Sequence, residues 1–477
     1  MAGEGKSFQN WRGNRKQRRE LARRLKSDDP KLEVVHPDAA GIDIGNQSHY
    51  VAVSPERDAE PVRKFGCFTA DIHRMARWLQ ECGVKTVAMQ STGVYWIPVY
   101  DILEQYDIEV YLVNAQHTKN VPGRKTDVQE SQWLLKLHTY GFLRNSFRPP
   151  EGIRALRTYW RHRGEQGSGA AECIQRMQKV LTAMNVQLAN VISDLSGTTG
   201  QAIVRAIVAG ERDPHRLAQL RNYRVRAREE QIARSLEGNW KKELLFALRQ
   251  ELELYDTYQR RIAECDRELQ AELQQWPARD AVSVLEAGRE NAGAEQKQEG
   301  KSLPKTPAFD LADELERITG VDLTKIDGID GITAQTIITE AGLDMSRWKT
   351  EAHFVSWLGL CPANEKSGGK VLKRGTRHVV SRLATALRIS ASSLLKSQTY
   401  LGAQYRRLRT RLGAPKAITA MANRLARLVY RMLKHGQQYV DKGLPYYEEK
   451  YREQPIRLLR KKALKLGFQL TELKAAS

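Results

Sequence analysis

Three carboxylates and one serine stand among neighbours that could turn them to chemistry. Asp43 lies in Gly41-Ile42-Asp43-Ile44-Gly45, which reads as a strand, so period-two geometry sets both isoleucines on one face and Asp43 on the other. A charge there is costly unless it is solvated, paired or bound to a metal. An aspartate that satisfies a turn at a strand end is the plainer alternative. Asp127 and Glu130 are spaced i, i+3, which on a helix puts both on one face. Carboxylates from separate elements can converge on hard cations, and magnesium takes a few of them plus phosphate oxygens and water. Two such ions stabilise in-line phosphoryl transfer. Ser367 precedes Gly368-Gly369-Lys370, with Lys373, Arg374 and Arg377 close behind. The glycines permit close backbone approach to a phosphate, and the cations form the electropositive setting that a poor nucleophile such as serine needs. A turn or helix cap is the alternative for this serine.

The elements that must position these groups follow from hydrophobic periodicity. Strands are expected at 40–45, 49–54, 64–68, 86–89 and 109–113, and helices at 71–81, 98–105 and 127–139, which makes residues 34–150 a mixed α/β domain. Residues 151–277 are helical. Ile174, Met177, Leu181, Met184, Leu188 and Val191 form one heptad seam, and Leu248, Leu252, Tyr255, Ile262, Cys265, Leu269 and Leu273 form a second. They read as a coiled-coil arm joining protomers of a dimer or tetramer, and pairing within one chain fits the spacing equally. Residues 278–308 have the composition of a linker, 309–440 form an all-α region, and 1–33 and 441–477 are basic tails. In Ile326–Ala334, Gly328 and Gly331 fit a helix–hairpin–helix whose backbone would meet a phosphate; an ordinary turn between helices is the alternative.

Charge narrows the class of partner. The chain of 477 residues has a formal net charge of +21. Between Glu365 and Asp441 there is no acidic residue, yet seventeen lysines and arginines occur there, among them Arg382, Arg406, Arg407, Arg409 and Arg411. A solvated face normally mixes signs, so this stretch points to neutralised phosphates. The five scattered cysteines argue against disulfides and structural zinc, and no apolar run reaches membrane length, so a cytoplasmic protein is expected.

The motifs taken together resemble the DEDD transposases of bacterial insertion sequences, the group related to the Piv invertase. The residues that carry the likeness are Gly41–Gly45, Gln90-Ser91-Thr92-Gly93-Val94-Tyr95-Trp96, Gly123–Glu130, Gly328–Ala334 and Ser367–Lys370, in family order. The resemblance implies a RuvC-like ribonuclease H-fold domain followed by a helical transposase domain. It also implies recombination of DNA element ends with a target site, magnesium at Asp43, Gln90, Asp127 and Glu130, and Ser367 as nucleophile. A structured guide RNA, a homo-oligomer and a nucleoid-associated location in a bacterial cytoplasm belong to the same expectation. Two positions depart from the pattern: Gln90 stands where the family carries Glu, and Glu130 where it carries Asp. An amide offers a carbonyl oxygen without charge, so Gln90 could serve a metal or contact DNA. A junction-resolving endonuclease acting by hydrolysis would share the acids but need no Ser367. A sugar kinase or actin-like ATPase would explain Asp43-Ile44-Gly45 and leave the basic region idle, and an architectural binder would leave Asp43 idle.

Overall fold

The computed structural model describes residues 33–115, 126–279, 306–368, 370–373, 375–377, 379–436, 439, 456 and 459–469. The chain divides into two compact units, Met1–Arg148 and Pro149–Ser477. In the first, β1 (Ala39–Ile44), β2 (Ser48–Val53), β3 (Val62–Gly66), β4 (Thr86–Gln90) and β5 (Glu109–Val113) form one sheet in the order β3-β2-β1-β4-β5. β2 is antiparallel to β1 and β3, whereas β4 is parallel to β1 and β5. Strand alternation then assigns the faces. Ile42, Val51, Val87 and Met89 pack with Ile72, Met75 and Leu79 of α1 (Thr69–Glu81) and with Val99 and Leu103 of α2 (Trp96–Gln105). Ala88 and Val113 meet Leu134 and Leu137 of α3 (Asp127–Thr139) on the opposite face. This mixed sheet, helix-covered on both sides, is consistent with the expected ribonuclease H-like domain. The expected strands and helices recur within about two residues.

Gly41 explains why α3 lies so close. A Cβ there would fall 2.3 Å from Ser131 O and Leu135 N, both backbone atoms of α3. Only glycine lets this helix rest directly on β1. A capping box between Thr126 and Gln129 starts α3. Its far end is tied to the start of the sheet: Val35 N and His36 N donate to Thr139 O, and Thr86 Oγ1 meets His138 Nε2 at 2.9 Å. α3 therefore runs antiparallel to β1 and β4, with its first turn over their C-terminal ends.

In the second unit two helices of 33 residues, α4 (Glu151–Ala183) and α8 (Lys242–Gln274), pair antiparallel along their length. Arg163 meets Asp266 at 2.5 Å, Gly169 lies against the Tyr258 ring, and Arg176 meets Glu251 at 2.8 Å. The two heptad seams thus pair with each other inside one chain. Met177, Leu181, Leu248 and Leu252 are buried in a core shared within this chain, which is the alternative the spacing left open. The first seam also overruns its helix. α4 stops at Ala183, Asn185 takes φ +59°, and Leu188 follows in a 3-10 turn. Short helices α5 (Thr198–Ala209), α6 (Pro214–Gln219) and α7 (Glu229–Ser235) cap the tip of the hairpin.

At its root, Arg317 donates to Leu273 O and Trp276 O, satisfying carbonyls at the end of α8. Arg161 makes a two-pronged pair with Glu340. These contacts seat the hairpin on α9 (Leu311–Thr319) and α10 (Gly331–Ala341). α11 (Glu351–Trp357), α12 (Arg382–Ser393), α13 (Tyr400–Leu412) and α14 (Ala414–His435) complete the region. The region is not purely helical, because β6 (Glu365–Ser367) and β7 (Lys370–Lys373) form a hairpin within it. Residues 1–32 and most of both the linker and the C-terminal tail lie outside the described residues. Among the described residues no helix is long and apolar enough to cross a membrane.

Candidate active site

Sheet register brings the acidic positions together at one end of the first unit. Ile42 of β1 is opposite Met89 of β4, so Asp43 and Gln90 are the next residues on neighbouring parallel strands. Asp43 shares its sheet face with Gly41, the face on which α3 lies. The antiparallel course of α3 brings Asp127 and Glu130, both in its first turn, to the same end. Gln90 is buried, and its Nε2 donates to Glu130 Oε1 at 2.5 Å. Asp43 and Glu130 are half-buried, and Asp127 is exposed. Gln90 thus touches a carboxylate directly, a contact that spacing along the chain does not reveal. His138, at the other end of α3, is pushed to a pKa of about 3 by burial and by the neighbouring His36.

In the second unit, Ser367 is the last residue of β6 and pairs with Lys370, so Gly368 and Gly369 alone connect the strands. Gly368 adopts φ +55°, the left-handed conformation that a two-residue hairpin requires. Ser367 and Lys370 are exposed at this tip. Ala363 N donates to Gly375 O at 2.6 Å and lengthens the stem beyond Lys373. The segment is therefore a β-hairpin inside a region expected to be all-α, and Ser367 stands beside its turn. Gly369 and Arg374 lie outside the described residues.

The remaining basic positions divide by what holds them. Arg377 donates to Ser356 O, and Arg406 to Ser397 O and to Leu395 O at 3.3 Å, so both have internal acceptors. Arg427 and Arg431 bind Glu351 at 2.6 and 2.5 Å. Arg431, with Arg427 assisting, holds that carboxyl below the ordinary glutamate range against the opposing effect of burial. The acid-free stretch is thus partly neutralised by an acid from outside it. Arg382, at the start of α12, and Arg407, Arg409 and Arg411, on α13, are exposed. Gly328 has φ +86°, and a Cβ there would meet Ser390 O at 2.8 Å, which is an internal reason for glycine. Gly331 opens α10 behind the N-cap Asp330, whose carboxylate accepts from Thr333 N.

A family model described as a DEDD transposase of the IS110 type matches residues 40–186. A second, described as the transposase IS116/IS110/IS902 family, matches residues 322–406. The chain belongs to the IS110 family of DEDD transposases. No curated protein matches the chain. The first match spans the sheet, α3 and all of α4, and the second contains the Ser367 hairpin. This transposase accordingly binds DNA, cleaves it and rejoins it, and its DEDD domain implies a divalent cation. The donors at the end of the sheet suit one by type, since Asp43, Asp127, Glu130 and the Gln90 carbonyl are all hard oxygens. Among the described residues no three His, Cys, Asp or Glu side chains come together as a formed cation site.

Proposed function

We propose that this transposase excises and inserts its own element through attack of Ser367 on DNA, assisted by magnesium and directed by a structured non-coding RNA. The observation that supports this reading best is the convergence of Asp43, Gln90, Asp127 and Glu130 on one end of a sheet in a DNA-cleaving family. Asp43, Asp127 and Glu130 would hold the cation, and Gln90 steadies Glu130 by its hydrogen bond. When bound, the cation would polarise the scissile phosphate and offset charge developing on its oxygens. Ser367 Oγ forms a bond to phosphorus while the bond to one DNA oxygen breaks. The serine proton leaves, and the departing oxygen takes up a proton to become a free hydroxyl. The resulting serine–DNA phosphodiester conserves the bond for a later attack by a DNA hydroxyl, which releases Ser367. Lys370 beside the serine favours the negative charge of the phosphate.

Asp43→Ala or Asp127→Ala should abolish strand cutting while leaving DNA binding close to wild type. Full cutting by Asp43→Ala in chelator would remove the metal from this reading. For the guide, recombination at the correct site by rigorously RNA-free protein would eliminate the RNA and leave the serine chemistry standing. We place the protein as a homo-oligomer in the bacterial cytoplasm, with Gly328, Gly331 and the exposed arginines of α12 and α13 facing nucleic acid.

A further inference from the structure

The end of the sheet that carries Asp43 and Gln90 is also where the first unit leaves apolar side chains uncovered. Among the described residues its exposed large apolar side chains are Val34, Val35, Phe68, Val94, Tyr95, Ile97 and Val128. Topology puts five of them at the acid end. β3 runs in the same direction as β1, with Ser48 opposite Gly66, so Phe68 sits just past the end where β1 delivers Asp43. Val94, Tyr95 and Ile97 follow Gln90 beyond β4, and Val128 adjoins Asp127. Only Val34 and Val35 lie at the opposite end, beside Thr139. Phe68 is 78% exposed, Val94 66% and Tyr95 48%. Scattered apolar residues on a surface mean little, but a set gathered at one end marks a binding surface.

These residues are held in place. Ser91 N donates to Val113 O at 2.9 Å, Trp96 Nε1 to Gly93 O at 3.1 Å, and Ile97 N to Val94 O at 3.1 Å. Phe68 precedes α1, and its carbonyl accepts from Asp71 N and Ile72 N. From β3 to β4 is three strand spacings, about 15 Å. At about 3.4 Å per nucleotide, that width matches roughly four nucleotides of one strand. Without a cation the acids between them repel phosphates, so in that state attraction to a DNA strand rests on its bases.

We propose that Phe68, Val94 and Tyr95 form a rim that stacks on unpaired bases of the DNA strand to be cut, holding it locally melted at the acid end. The proposal rests on that end being where DNA is cut. A DNA strand is the occupant the observations favour, because cutting and rejoining DNA is the activity of the family and Gln90 is four residues from Val94.

The test measures binding of full-length protein to a duplex with a central unpaired bubble containing 2-aminopurine, in chelator so that neither cation nor cleavage is needed. Phe68→Ser and Tyr95→Ser should each weaken bubble binding about tenfold and relieve fluorescence quenching, as loss of a base-stacking contact does. Affinity for fully paired DNA and the melting temperature should stay unchanged, and Phe68→Tyr and Tyr95→Phe should restore wild-type binding. Unchanged bubble binding, or equal loss on bubble and paired DNA, overturns the rim. A loss confined to RNA overturns it in favour of an RNA occupant, and a fall in oligomeric mass in favour of a second copy. Asp43→Asn tests the cutting site separately: if it still cuts, the acid-end reading fails, while the bubble measurement decides the rim on its own.

Discussion

Gly41→Ala is a single-methyl test of how the acidic residues are brought together. The new Cβ would lie 2.3 Å from two backbone atoms of α3, and an ordinary contact begins near 3.4 Å. No side chain can turn away, so the helix must retreat by about 1 Å or the strand must buckle. Overpacking of this kind costs about 1–3 kcal/mol. For a unit of this size that lowers the melting temperature by about 2–4 °C per kcal/mol. The same retreat carries Asp127 and Glu130 away from Asp43, and a 1 Å misplacement of reacting groups costs about a hundredfold in rate. The sign is diagnostic, because Gly→Ala in a compatible conformation ordinarily stabilises by about 0.4–1 kcal/mol. Gly164→Ala is the matched control: it lies at an exposed position of α4, where a Cβ would meet nothing within 4 Å, so it should raise the melting temperature. Differential scanning calorimetry and a strand-cutting assay on both variants decide the matter. Gly41→Ala that melts at or above wild type and cuts at full rate would refute the contact and the positioning drawn from it.

Removing one partner of the buried Arg163–Asp266 pair should be costly. Asp266→Ala is expected to destabilise by about 3–5 kcal/mol in urea unfolding, because it leaves a guanidinium buried without its counter-charge. His138 is neutral in the fold, with its pKa depressed to about 3, and ionises in the unfolded chain below about pH 6.5. Its contribution to stability is full above pH 6.5 or so and is lost as pH falls from there toward 3. Over that window the slope should approach about 1.4 kcal/mol per pH unit, and His138→Gln should flatten it in unfolding series at several pH values. DNA affinity should fall steeply with salt, and the double variant Arg409→Gln, Arg411→Gln should reduce the log–log slope by about 2 if each arginine meets a phosphate.

What could be read in the residues was mostly local. The strand at Glu109–Val113 and the helix at Asp127–Thr139 follow from apolar alternation and a capping signal, so their bounds emerge from short windows. Gly41 is visible as part of a motif, but its task depends on α3, whose contacting residues lie ninety and more positions away. The heptad spacing from Ile174 to Val191 continues past the helix because apolar residues still point to a core after Asn185 turns the chain. That spacing alone also leaves open whether a seam meets its own chain or another. The Ser367 hairpin carries no strand signal in sequence, because Lys366, Lys370 and Lys373 give its strands no apolar alternation. Gln90 stood out only as a departure, and its donation to Glu130 depends on packing across forty residues. Likewise composition alone presents the acid-free stretch as uniformly available to phosphate, although Glu351 claims Arg427 and Arg431 from outside it.

The most direct test of the account is to map a trapped protein–DNA adduct. The transposase, its RNA and DNA carrying an element end would be incubated with magnesium, denatured and digested, and the DNA-linked peptide sequenced by mass spectrometry. A phosphodiester on Ser367 is predicted, absent in Ser367→Ala and in Asp43→Asn although both still bind the DNA. An undiminished adduct in Ser367→Ala, or one mapped to another residue such as Ser381 or Ser390, would contradict the account.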